Sequence, residues 1–193
     1  MTTIPKDEFV AWLEAKKLSW EPENGYIDFI AEDAEDRFWI IPERGARIVY
    51  FLTVILNTLD PWEYLTVCKQ GCTGWYDDDE GIIHQVRNQI ASLSEVPKDF
   101  QGALRFTKDE QTPLTTLLFN QLLFGWCMWD DVYIVPDHAR QIVTTSHHDV
   151  VHVTFKDPKR VSEYVGKMKK AEFPLPTEVP DGTFKIPHWM KKK

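Results

Sequence analysis

Histidines and acids cluster toward the C-terminal third of the chain, where Ser146-His147-His148-Asp149 precedes His152 and follows Asp130-Asp131 and His138. These residue types suit metal ligation and metal-assisted hydrolysis, with imidazole nitrogens and carboxylates converging on one ion. Spacing argues against a set drawn from a single strand. His148 and His152 lie four residues apart, roughly 13 Å in an extended strand at about 3.3 Å per residue. His147 and His148 would point to opposite faces. A site built from His148, His152 and Asp130, with His138, His147 or Asp131 in support, needs neighbouring strands to bring the ligands together. The expected state of these histidines is therefore hydrogen-bonded within a sheet or turn, with no metal and no cofactor.

Two further groups hold residue types that can do chemistry. Cys68 and Cys72 with His84 suggest zinc, but structural sites need four ligands and the third cysteine, Cys127, lies far along the chain between Trp126 and Met128. In that apolar setting Cys127 reads as an inert core residue rather than a nucleophile. The run Asp77-Asp78-Asp79-Glu80 lacks the alternating oxygen ligands and the glycine of a calcium loop. It reads as acid at a helix start or as a contact surface for a basic partner. No Gly-rich phosphate loop, G-x-S-x-G, H-E-x-x-H or dinucleotide fingerprint is present.

The elements that must position these groups follow from periodicity. Residues 5–17 predict a helix with Phe9, Trp12 and Leu13 on one face. A short strand is expected at 26–31, a solvated loop at 32–36, and a buried strand over Phe38–Ile41 stopped by Pro42. Residues 44–59 mix β-branched residues with a length that favours a helix, with Ile48, Leu52 and Ile55 sharing a face. A strand at 62–67, a helix at 81–93 capped by Asp78 or Asp79, and a strand at 103–107 complete the first half.

From Thr112 to Phe155 the chain is densest in apolar and aromatic residues. Thr112-Pro113 predicts a capped helix, apolar nearly all round, closed by Gly125. Strands follow at 126–135, 141–145 and 149–155, with a hairpin turn at Asp137-His138-Ala139. In the last strand Val151, Val153 and Phe155 alternate with Val150, His152 and Thr154. Asp157-Pro158 caps a final helix, and residues 171–193 read as an extended Pro-rich tail pinned by Phe184 and Trp189. Asp36–Glu43 echoes Asp130–Asp137, a similarity that a common strand-plus-proline pattern explains as well as duplication does.

Three short stretches resemble a pattern found in uncharacterised bacterial α/β proteins. They are Trp39-Ile40-Ile41-Pro42 before an apolar helix, Leu122-Leu123-Phe124-Gly125-Trp126 closing another, and Ser146-His147-His148-Asp149. Together they touch residues 38–149. Where that family has a tryptophan-rich strand and turn, this chain has only Cys72-Thr73-Gly74-Trp75-Tyr76. The resemblance implies the α/β order and no defined activity or catalytic residues.

The expected architecture is a single α/β (α+β) domain over residues 1–193, a mixed sheet flanked by helices. Composition sets the functional expectation. The net charge is −8 over 193 residues. Residues 157–193 hold 9 Lys/Arg against 5 Asp/Glu, so the remaining 13 basic and 25 acidic residues leave the body strongly negative. Such a body repels nucleic acid and anionic membranes and attracts basic proteins. No apolar run reaches membrane-spanning length, the N-terminus lacks a secretory pattern, and three cysteines fit a reducing cytoplasm. The leading expectation is a non-enzymatic binding protein for a basic partner, such as an immunity-type inhibitor of a bacterial toxin. Trp75, Asp77, Asp78, Asp79 and Glu80 are its expected contacts. The alternative is a metal-assisted hydrolase centred on His147, His148 and His152.

Overall fold

A computed structural model describes residues 1–30, 33–43, 45–76, 81–123 and 131–177. Asp77–Glu80, Phe124–Asp130 (with Gly125, Cys127 and the start of the expected 126–135 strand) and residues 178–193, with Phe184 and Trp189, lie outside them. Among the described residues the architecture is α+β, with five α-helices and a seven-stranded sheet. Every strand pair among them is antiparallel, so the expected mixture of directions resolves into one.

In chain order the elements are β1 (Thr2–Pro5), α1 (Lys6–Ala15), β2 (Leu18–Trp20), β3 (Ile27–Phe29), β4 (Glu35–Ile40), α2 (Gly45–Thr58) and β5 (Tyr64–Lys69). Then come α3 (Ile82–Leu93), β6 (Gly102–Thr107), α4 (Gln111–Leu123), β7 (Val132–Pro136), β8 (Gln141–Ser146), β9 (Val150–Phe155) and α5 (Val161–Lys170). The large sheet runs β1-β6-β5-β7-β8-β9-β4, and β2 with β3 forms a separate hairpin. No helix among the described residues is long and apolar enough to cross a membrane.

Period-two alternation divides the sheet into two faces. Leu65, Val67, Leu104, Phe106, Ile134, Val143, Val153 and Phe155 point to one side and form the main core with α2–α5. There α4 packs against α2 and α3, and α2 also against α5. The intervening residues Cys68, Ala103, Tyr133, Val135 and Ile142 meet Phe9 and Leu13 of α1 and Leu18, Ile27 and Phe29 of the hairpin. This second layer covers only part of its face.

Several local expectations shift. Residues 35–40 form an edge strand, paired with β9 alone, so Trp39 is buried while Ile40 is 51% exposed. The run does not need both faces covered, because only alternate residues turn inward. The cap before α4 is Thr107, which shares a capping box with Glu110 and opens a single 3₁₀ turn ahead of the helix. Thr112 instead falls inside α4. Of its second apolar face, Leu123 stays 37% exposed. Gly81 stands at the N-cap of α3 without a side-chain cap, in place of the expected aspartate. Asp157 does cap, accepting from the Lys159 amide.

Candidate functional site on the open face of the sheet

The uncovered part of the second face carries Thr144 from β8, His152 and Thr154 from β9, and Asp36 and Phe38 from β4. Register explains why they meet. Asp36 lies opposite Thr154 and Phe38 opposite His152, so their side chains project together. The β2–β3 hairpin forms the opposing wall. Between them lies a cleft of about 430 Å³ lined by Tyr26, Asp28, Asp36, Thr144, His152 and Thr154.

Asp36 organises the cleft. Its Oδ2 lies 2.8 Å from His152 Nδ1, and its Oδ1 accepts from Thr154 Oγ1 at 3.1 Å. The Asp36 hydrogen bond and charge raise the His152 pKa above its ordinary value, against the opposing effect of partial burial. His152 Nε2 has no hydrogen-bond partner among the described residues. An oriented imidazole with one free nitrogen is half of an acid–base pair, but no serine, threonine or cysteine there bonds that nitrogen as a nucleophile would.

The other histidines go elsewhere. His147 Nδ1 pairs with Asp131 at 2.8 Å, and Asp131 also accepts from the His147 amide at 3.1 Å, which ties the β8–β9 turn to the start of β7. The His148 ring packs at a tilt against His147 with centroids 4.0 Å apart, while its amide donates to Ser146 Oγ. His138 accepts from the Arg140 amide and reaches the Asp60 carbonyl. Asp60 is buried and ion-paired with Arg160 and Arg140, a network that ties the loop before β5 to the β7–β8 turn and to the start of α5. Among the described residues no three His, Cys, Asp or Glu gather around a common ion position. His148 and His152 of the considered metal set thus have different partners, and Asp130 lies outside the described residues.

Cys68 and Cys72 do come together, as free buried thiols of the second core. Burial and the hydrogen bond to Cys72 push the Cys68 thiol up, and that same bond holds Cys72 down. Trp75, expected on the surface, is 5% exposed and donates its Nε1 to the Gly102 carbonyl at 3.2 Å. It is a core residue, since its ring completes the apolar layer and its one donor is satisfied internally, and it cannot serve as a contact. A second cleft, about 410 Å³ between α2 and α4, is lined by Val49, Thr112, Thr115 and Phe119 among others and holds no titratable group.

The two acids that line the cleft, Asp28 and Asp36, belong to an acidic stretch of the sequence that includes no contiguous acidic run like Asp77–Glu80. Residues 21–36 contain Glu21, Glu23, Asp28, Glu32, Asp33, Glu35 and Asp36 and not one Lys or Arg. The signal was legible as a sixteen-residue stretch without a cation. It was obscured because the acids are dispersed among Trp20, Tyr26, Phe29 and Ile30, while Asp77–Glu80 are contiguous. Tyr26 is 49% and Ile30 66% exposed, so apolar surface lies among the carboxylates.

No family model, curated protein or solved structure matches this chain.

Proposed function

We propose that this protein is a non-enzymatic binding module that holds a basic protein partner against the open face of its sheet. The observation that carries this reading is the cation-free stretch 21–36, which contributes Asp28 and Asp36 to the cleft and exposes Tyr26 and Ile30 beside it. Carboxylates around exposed aromatic and aliphatic groups suit a partner that brings lysine or arginine together with apolar side chains. An immunity-type inhibitor of a basic bacterial toxin is the form of such a module that fits this size and charge. A cytoplasmic location accords with the free thiols of Cys68 and Cys72.

The test is capture of partners at low and high salt by the intact protein and by two charge-neutralised variants. One carries Glu21→Gln, Glu23→Gln, Asp28→Asn and Asp33→Asn; the other neutralises Asp77–Glu80, which stay in the proposal as a second acidic contact segment. A stoichiometric basic partner should associate more slowly with the hairpin variant and lose salt sensitivity. Capture that is unchanged in both variants would end the charge-based reading.

One observation favours a second reading, hydrolysis with His152 as general base: Asp36 orients its ring and leaves Nε2 free. Under that reading His152→Gln abolishes turnover of a responsive ester or phosphoester while leaving partner capture intact.

A further inference from the structure

The hydrogen-bond phase of β4 determines what its outer side can do. In an antiparallel pair, opposed residues alternate between those that exchange backbone bonds and those that do not. The Ile41 amide donates to the Asp149 carbonyl at 2.8 Å, which continues the register in which Glu35, Arg37 and Trp39 face Phe155, Val153 and Val151. The odd-numbered residues therefore bond to β9. Asp36, Phe38 and Ile40 direct their amides and carbonyls away from the sheet. The Arg37 guanidinium confirms this phase, because its Nη1 donates to the Asp36 carbonyl at 2.6 Å from the outer side. Among the described residues no strand pairs with that side.

The two edges of the sheet differ. β1 is four residues long and ends in Pro5, which lacks a donor. β4 is six residues long, contains no proline, and leaves Ile40 51% exposed. A free edge with exposed apolar residues is a template for another strand. Its guard is the Glu35–Arg37 ion pair, whose arginine occupies one outward carbonyl.

We infer that β4 is a docking edge, and that the basic partner adds an extended, positively charged strand to it. This rests on the binding-module reading above and specifies how that partner is held. On such a strand alternate side chains lie over the open face beside Asp36 and Phe38, next to the acidic hairpin. The remaining side chains face the Glu35–Arg37 side. Charge selects this occupant over a second copy of the chain, because two copies that each carry a net charge of −8 repel one another, whereas a basic strand is attracted.

The test uses the full chain, a short synthetic peptide alternating lysine with valine, and a control of equal charge alternating lysine with glycine. The first favours an extended strand and the second stays flexible. Backbone amide exchange is followed residue by residue. The expected result is that the lysine–valine peptide slows exchange at Phe38 and Ile40 about tenfold or more, while the control does not. Phe38→Pro deletes an outward donor without removing a bond to β9, and should weaken the lysine–valine peptide about five- to tenfold. Should that variant fail to fold, Ile40→Lys, which sets a positive charge on the same edge, should weaken the peptide instead.

Binding of both peptides with no protection at Phe38 or Ile40 would overturn the edge-pairing inference and leave the acidic binding face standing. Binding of neither would overturn both. A concentration-dependent dimer of the intact chain, abolished by Phe38→Pro, would assign the edge to a second copy and overturn the basic occupant.

Discussion

The Asp36 carboxylate and the His152 imidazole meet at 2.8 Å, although 116 residues separate them in the chain. The register that sets Asp36 opposite Thr154 and Phe38 opposite His152 puts both side chains on one face of adjacent strands.

This pair makes stability and charge pH-dependent. The folded-state pKa of His152 is raised from its ordinary 6.5 by Asp36. The protonated pair therefore contributes its full stabilisation below about 6.5 and loses it as pH rises through the higher folded value. Asp36→Asn should bring the His152 titration down toward 6.5, read from its imidazole resonances in an NMR pH series. A midpoint that does not move would rule out Asp36 as the cause.

Gly25 is packed against the backbone of Gly71. It has φ +69°, and a Cβ placed on it would lie 2.1 Å from the Gly71 nitrogen. The same contact is supported by Gln70 Nε2 donating to the Asn24 carbonyl at 2.7 Å. Gly25→Ala must strain the backbone and push the hairpin from the loop after β5, at a cost of about 1–3 kcal/mol. Urea unfolding measures that loss, and proteolysis should start at the β2–β3 turn. Unchanged stability would mean that the hairpin does not depend on this contact.

Trp39 is buried, and its Nε1 donates to the Phe173 carbonyl at 3.1 Å, fastening the chain after α5 to β4 and α2. Phe173 also packs edge-on against Phe51 with centroids 4.9 Å apart. Trp39→Phe keeps an aromatic ring but removes the donor and leaves a void, which should cost about 1–3 kcal/mol. Amide exchange near Phe173 should rise more than exchange in β7. Equal changes in both would indicate general loosening instead.

Thr107 begins the path into α4 through its reciprocal bonds with Glu110. Thr107→Ala should destabilise by about 1 kcal/mol, whereas Thr112→Ala, inside the helix, should change little. The reverse ranking in thermal unfolding would place the cap where sequence alone had put it.

Local pattern is enough to find α1, α2, α3 and α5, the alternation in β9 and the Asp157 cap. Each depends on residues within a few positions of one another, where side-chain spacing acts directly. Thr112-Pro113 does not by itself locate the cap, because threonine followed by proline also occurs inside a first turn, and only the chain's path through residues 107–110 selects between the two. Nothing near Trp75 in the chain separates surface from core, because aromatic residues beside acids suit both; the Gly102 carbonyl that accepts from it is 27 residues away. Strand neighbours were not legible at all. Antiparallel pairing of β4 with β9 joins residues more than a hundred positions apart, and its choice rests on the packing of the whole sheet rather than on any local preference. That choice assembles Asp36, His152 and Thr154 into one cleft and turns the amides of Phe38 and Ile40 outward.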